Sequence, residues 1–196
     1  MGTLTEPGFL EILGEWDGVE VLVRRDRPTG TWIFIAIHDD TLGPATGGCR
    51  MKVYDRPEGG LVDAMRLAEG MTYKWAAMDF PFGGGKTVLA IPRPLGVEER
   101  RGLLMRFGSL LSSLGGRYGT GAMAFTLIYR GVDEVEELER RVRSIGARLD
   151  AIFATAEADG TSPVTASKAL AEAVLARGPR QGESSSFEDI RGRLKD

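Results

Sequence analysis

Thr31-Trp32-Ile33-Phe34-Ile35-Ala36-Ile37-His38 is an unbroken β-branched and aromatic run. Such a run reads as a strand buried on both faces, and both faces then need cover from other elements. Val19 to Arg25 alternates Val19, Val21 and Val23 on one face and predicts a first strand. Pro28-Thr29-Gly30 between them is a turn. Gly43-Pro44-Ala45-Thr46-Gly47-Gly48 breaks the pattern, Cys49 to Tyr54 predicts a third strand, and Thr87 to Ile91 a short fourth, ended by Pro92 and Pro94. Leu61 to Met71 predicts a helix with Leu61, Met65, Ala68 and Met71 on one stripe. Val97 to Leu114 predicts another, with Leu104, Phe107, Leu111 and Leu114 at spacings of three and four. Strands alternating with helices imply an α/β fold: a mixed twisted sheet flanked by helices in three layers.

Gly115 to Gly121 reads as a loop and Ala122 to Tyr129 as a strand. Val132 to Phe153 is strongly amphipathic, its stripe formed by Val132, Val135, Leu138, Val142, Ile145, Leu149 and Ile152. Glu136–Arg140, Glu137–Arg141 and Glu139–Arg143 on its polar face have the favourable order, Glu first. Ser162 is placed to cap a helix with Pro163 in its first turn, running to about Arg177. These helices form a C-terminal extension, and Gly178 to Asp196 is a polar tail. The expected division is 1–125 as the main domain, 126–177 as a helical segment and 178–196 as a flexible tail.

Composition removes several function classes. The formal charge of −3 gives no electrostatic case for nucleic acid or an anionic membrane. Cys49 and His38 are each alone of their kind, so a disulfide, a zinc cluster and a His-based triad lack their parts, and no metal is expected. No apolar run approaches the ~20 residues of a membrane span. The expectation is a soluble cytoplasmic protein.

What remains is built from lysine and glycine. Lys74 lies in Gly70-Met71-Thr72-Tyr73-Lys74-Trp75 and Lys86 in Pro81-Phe82-Gly83-Gly84-Gly85-Lys86-Thr87. An ammonium held near another cation, or out of water, loses its proton more readily and can act as a base near neutral pH. Glycines let backbone approach a ligand closely, and Gly47-Gly48 beside Arg50 offers a second such wall. The alternative is that both glycine runs are ordinary turns and both lysines are solvated. A phosphate-binding P-loop fails on spacing, because Phe80 stands where the first glycine belongs. Gly119-Thr120-Gly121-Ala122-Met123-Ala124 matches the dinucleotide fingerprint formally, yet it follows a helix and a turn instead of a strand.

At Gly43–Met51, Gly70–Lys74 and Pro81–Lys86 the chain resembles the substrate and dimerisation domain of the NAD-dependent glutamate, leucine, phenylalanine and valine dehydrogenases. The leucine, phenylalanine and valine branch is the nearer. The resemblance runs from about Phe9 to Tyr118 and returns at Ser162-Pro163-Val164-Thr165-Ala166. It implies reversible oxidative deamination of a branched-chain or aromatic L-amino acid to its 2-oxo acid. By resemblance, Lys74 holds the substrate carboxylate, Lys86 is the catalytic lysine that activates water, Gly47 and Gly48 line the substrate pocket, and Thr165 lies on the nicotinamide side. Homo-oligomers are implied as well.

The likeness fails in two places. Met123 stands where the family carries a proton-transferring aspartate, if Thr126 matches the family threonine. The family also continues into a dinucleotide domain, so the chain is expected to be a truncated relative, inactive alone. NAD would be supplied by a separate domain. The alternative function is a non-catalytic module that binds an amino acid or 2-oxo acid, or that serves oligomerisation; a small NAD-binding protein using Gly119 to Ala124 ranks last.

Overall fold

β2, the run Thr31–Asp39, lies inside the sheet and is buried along nearly its whole length. The structure, a computed structural model, describes residues 9–120 and 135–179. The order is α1 (Phe9–Gly14), β1 (Glu20–Asp26), β2, β3 (Ala45–Gly47), β4 (Cys49–Val53), α2 (Pro57–Ala77), β5 (Gly83–Ile91), α3 (Val97–Ser112), β6 (Tyr118–Thr120), α4 (Val135–Ala158) and α5 (Pro163–Arg177). Among the described residues the sheet has six strands in the order β1-β2-β5-β3-β6, with β4 also paired to β5. β2 runs antiparallel to β1 and β5, whereas β3 and β4 run parallel to β5, and β6 parallel to β3.

Side chains on a strand alternate between faces, and here each face has its own helix. Ile33, Ile35, Ile37, Leu89 and Ile91 meet Leu103, Phe107 and Leu110 of α3. Phe34, Ala36, Val88 and Ala90 meet Leu61, Ala64, Met65 and Ala68 of α2. This is the three-layer α/β arrangement with a mixed sheet. The extension docks on it: Ala171 and Val174 of α5 join Leu42 and Ala76 in a small cluster, while Ile152 and Ala156 of α4 pack on Ala166 of α5.

Several boundaries differ from the sequence expectation. α2 is longer at both ends, so Lys74 lies within the helix. α2 contains Gly59, Gly60 and Gly70, and its packing on the sheet outweighs their local helix cost. β5 starts at Gly83 and β3 covers Ala45–Gly47, so both glycine segments are strand, held by cross-strand pairing. Tyr118–Thr120, expected as loop, pairs with β3. On α3 the buried residues are Leu103, Phe107 and Leu110; Leu104 is exposed, and Leu111 and Leu114 flank the core. On α4 Ile152 is buried but Leu149 and Phe153 are exposed. The Ser162 cap forms as expected, its hydroxyl accepting from the Thr165 amide at 3.1 Å. The expected strand Ala122–Tyr129, residues Val132 and Met123, the tail from 180 onward, and the Glu136–Arg140, Glu137–Arg141 and Glu139–Arg143 pairings lie outside the described residues and side chains.

A Cβ at Gly84 would stand 1.8 Å from Thr72 Oγ1 and 2.4 Å from the Thr72 amide nitrogen. Gly84→Ala is therefore expected to cost at least ~2–3 kcal/mol through overpacking. Gly108 lies in α3 with nothing within 4 Å of its Cβ position, and Gly108→Ala should gain roughly 0.5–1 kcal/mol. Urea midpoints measure both; a Gly84→Ala chain as stable as its parent would contradict this packing.

Candidate functional site

Lys86 stands in β5 on the face that carries Gly84, Val88 and Ala90, and is half-buried. The register beside it is unbroken, with Thr46 next to Gly84 and Cys49 next to Thr87, so Gly47 and Gly48 run alongside Gly85 and Lys86. The Thr87 amide donates to the Gly48 carbonyl at 3.2 Å. The two neighbouring glycines do different things. A Cβ at Gly47 would fall 1.6 Å from the Gly85 carbonyl oxygen, so Gly47 is glycine for the sake of the sheet. A Cβ at Gly48 would meet the Lys86 Nζ at 3.0 Å, so Gly48 leaves space for the ammonium itself.

Lys74 approaches from α2. That helix is seated by the Trp75 Nε1–H donating to the Thr46 carbonyl at 2.9 Å and by Thr72 lying against Gly84. Thr72 Oγ1 is also 2.9 Å from His38 Nδ1, and His38 Nε2 is 3.1 Å from Asp17 Oδ1. His38 is thus a buried strut between α2 and Asp17, three residues before β1. Lys74 itself is exposed, with its Nζ 5.7 Å from the centroid of the Trp75 ring.

Charge around Lys86 is predominantly positive. Burial first, then the neighbouring Arg50 guanidinium, push its pKa below the ordinary lysine value of 10.5. Lys74 adds a smaller push the same way, and Cys49 and Asp63 oppose it. Asp63 is engaged elsewhere: it accepts from Arg50 at 2.6 Å, from the Tyr54 hydroxyl at 2.6 Å and from Arg66 at 3.0 Å. Asp79 is likewise engaged, by Arg148 at 2.7 Å and Arg177 at 2.8 Å. The ammonium of Lys86 therefore sits where an added carboxylate or a developing oxyanion is electrostatically welcome.

Gly48 lies against the Lys86 ammonium and Gly47 against the Gly85 carbonyl, while Lys74 is the weakest of the charges that act on Lys86. Thr165 is exposed in the first turn of α5, and its amide and hydroxyl are both engaged with Ser162. Gly119 and Thr120 pair with Thr46 and Gly47 in β6 and are strand, while Gly121 to Ala124 of the formal fingerprint lie outside the described residues. An open cavity of about 630 Å³ adjoins Arg50 and Asp63, between Tyr54, Val62 and Arg66, and contains neither lysine. Among the described residues no cluster of three or more His, Cys, Asp or Glu could hold a metal, and no helix is long and apolar enough to cross a membrane. Sequence reasoning missed the Asp63 network and the double arginine pairing of Asp79. Asp63 and Arg66 are spaced as helix neighbours, which is the one local signal for either.

The profile of the Glu/Leu/Phe/Val dehydrogenase dimerisation domain matches residues 19–120. Leucine dehydrogenase of Geobacillus stearothermophilus is 41% identical over 138 residues, which cover 67% of this chain and 37% of that protein. Leucine dehydrogenase of Bacillus subtilis (strain 168) is 34% identical over 189 residues, covering 93% of this chain and 49% of that protein. Phenylalanine dehydrogenase of Bacillus thermotolerans is 49% identical over 102 residues, covering 52% of this chain and 26% of that protein. The crystal structure of L-tryptophan dehydrogenase from Nostoc punctiforme superposes with a TM-score of 0.50 at 39% identity, covering 58% of this chain and 32% of that one. The chain thus spans between a quarter and a half of the length of these relatives.

In the folded chain Lys86 gives up its proton at lower pH than an unfolded lysine does. Between those two values the unfolded state binds more protons, so stability rises with pH across that window and is lowest below it. Lys86→Met should accordingly be more stable than the parent at neutral pH, with the advantage shrinking as pH approaches 10.5. Thermal melts from pH 6 to 10.5 measure this; a difference independent of pH would refute the depressed lysine.

Proposed function

Since this chain belongs to the Glu/Leu/Phe/Val dehydrogenase family through its dimerisation domain, we propose that it binds the carboxylate and carbonyl ends of a branched-chain or aromatic 2-oxo acid, or of the matching L-amino acid. The observation that carries this reading is the half-buried Lys86 ammonium held against Gly48, with Arg50 and Lys74 as its cationic neighbours. The names of the similar leucine, phenylalanine and tryptophan dehydrogenases support the apolar side-chain preference.

The two lysines divide the work by exposure. Lys74, exposed on α2, pairs with the carboxylate as a mobile point charge. Lys86, pushed towards its neutral form, takes a proton from water as that water attacks the imino carbon, and then stabilises the oxygen that develops. A nicotinamide cofactor would accept or supply the hydride. By the family resemblance, Thr165 would lie on its side of the site.

A second reading, binding without turnover, is favoured by the carboxylates. Among the described residues, Asp63 and Asp79 are both tied to arginines, which leaves neither free to shuttle protons beside Lys86. Positioned acids and bases typically contribute ~10²–10⁴ in rate, so a site without one would bind its ligand and process it slowly.

Calorimetry with 4-methyl-2-oxopentanoate and with L-leucine separates these readings from no function at all. Lys74→Ala should weaken binding roughly 10- to 150-fold, the range for losing a hydrogen bond to a charged group. NADH consumption with the oxo acid and ammonia then decides between turnover and binding alone. Absence of any binding by the parent chain would remove both. The same reading includes self-association. β1 ends one side of the sheet with Val19 and Val23 exposed, and sedimentation should show a species larger than a monomer.

A further inference from the structure

Asp79 lies in Met78–Phe82, the short connector from the helix that carries Lys74 to the strand that carries Lys86. It is a non-glycine residue at positive φ, +57°, and its side chain is 9% exposed. Two arginines from different helices grip it. Arg148 of α4 donates to Oδ2 at 2.7 Å and to the Ala77 carbonyl, at the end of α2, at 3.0 Å. Arg177, at the end of α5, donates to Oδ1 at 2.8 Å. One connector between the two lysines is thus bolted to both helices of the C-terminal extension. On the same side, Lys168 of α5 lies over the ring of Tyr73, next to Lys74, at 4.9 Å.

We propose that Arg148, Asp79 and Arg177 form a positioning clamp for the lysine site, through which docking of the α4–α5 pair fixes the geometry of Lys74 relative to Lys86. The proposal builds on the two-lysine reading above. Its physical basis is leverage. Lys86 is held out of water only while β5 and the end of α2 keep their approach, and Met78–Phe82 is the chain segment that joins them. The apolar contacts of Ala171 and Val174 with Leu42 and Ala76 hold α5 against the domain, but they are non-directional. The three-residue ion cluster adds direction, because two guanidinium groups address separate oxygens of one carboxylate. Asp79 is not a catalytic residue in this scheme; it acts through the lysines.

Asp79→Asn tests the clamp without disturbing the backbone, because asparagine tolerates positive φ. Arg177→Gln, at a half-exposed side chain, is the milder second variant. Arg106→Gln is the matched control: Arg106 makes a two-pronged pair with Asp26, at 2.6 and 2.8 Å, from α3 on the opposite face of the sheet. For each chain that is folded by circular dichroism, Lys86 acetylation by acetic anhydride is followed against pH by peptide mass spectrometry, and 4-methyl-2-oxopentanoate affinity by calorimetry. The expected result is a Lys86 labelling midpoint moved up towards that of an ordinary lysine in both clamp variants and unmoved in Arg106→Gln. Affinity should weaken about 2- to 30-fold in the clamp variants, the range for coupling through packed networks. If the clamp variants label like the parent, or if all three variants shift alike, the clamp is overturned. If the parent does not bind the oxo acid, the binding proposal fails, and the labelling profiles alone decide the clamp.

Discussion

The close approach of α2 to the glycine stretch of β3 and β5 is the constraint on which the site depends. Thr72 lies where a Cβ of Gly84 would be, the Trp75 indole reaches the Thr46 carbonyl, and Gly47 leaves room for the Gly85 carbonyl. These contacts fix the height of the helix above the sheet. Lys74 precedes Trp75 by one residue, and Lys86 follows Gly84 by two, on the same face of its strand. The helix that carries Lys74 can come this close to the strand that carries Lys86 because the backbone between them carries almost no side chains. The glycines were read from the sequence as ligand-facing walls. In the structure Gly47, Gly83 and Gly84 leave room for the protein's own backbone and for Thr72, and Gly48 leaves room for the Lys86 ammonium.

An arrangement that collects positive charge and half-buries one member costs stability. Arg50 has its counter-ion in Asp63, which also takes Arg66 and the Tyr54 hydroxyl. Lys86 is left with Arg50 and Lys74 as cationic neighbours and with burial working against its charge. A purely structural site would replace such a lysine with an apolar residue at little loss. Perturbed groups of this kind concentrate where ligands bind or react, and the anion that would relieve the repulsion has the charge of a carboxylate.

The layer architecture was legible because β2 is apolar on both faces and the helices show a buried stripe. The polar context of the same elements was less so. Periodicity placed Leu104 on the core side of α3, whereas Leu103 and Leu110 occupy it with Phe107; a stripe of leucines at adjacent positions leaves the rotation of the helix open by about one residue. Gly83–Gly85 has no β-branched residue and Ala45–Gly47 only Thr46, so little in them announces strands, and their pairing partners make them so. Lys74 and Lys86 were legible as a motif, while the seating of the helix that carries Lys74 depends on Thr72, Trp75 and Thr46, whose contacts span up to 29 residues. Asp79 is the clearest loss. Nothing local to it points to Arg148 or Arg177, 69 and 98 residues away.

The extension raises a question of necessity. Small apolar clusters at Leu42, Ala76, Ala171 and Val174, and at Ile152, Ala156 and Ala166, already give α4 and α5 a reason to pack. Exposed ion pairs add little to stability, with a median near 0–1 kcal/mol. Asp79 differs from that median case, because its carboxylate is nearly buried and each oxygen has its own arginine. Removing one partner of such a cluster leaves an uncompensated charge, which is costly, while the intact cluster need not stabilise more than an apolar substitute would. Its distinctive property is therefore geometric selectivity: of the ways α5 could slide across Ala76 and Leu42, few satisfy both oxygens of Asp79 and the Ala77 carbonyl at once. A device that selects one docking geometry is of use where something nearby depends on that geometry, and what lies on either side of Asp79 in the chain is one lysine and then the other.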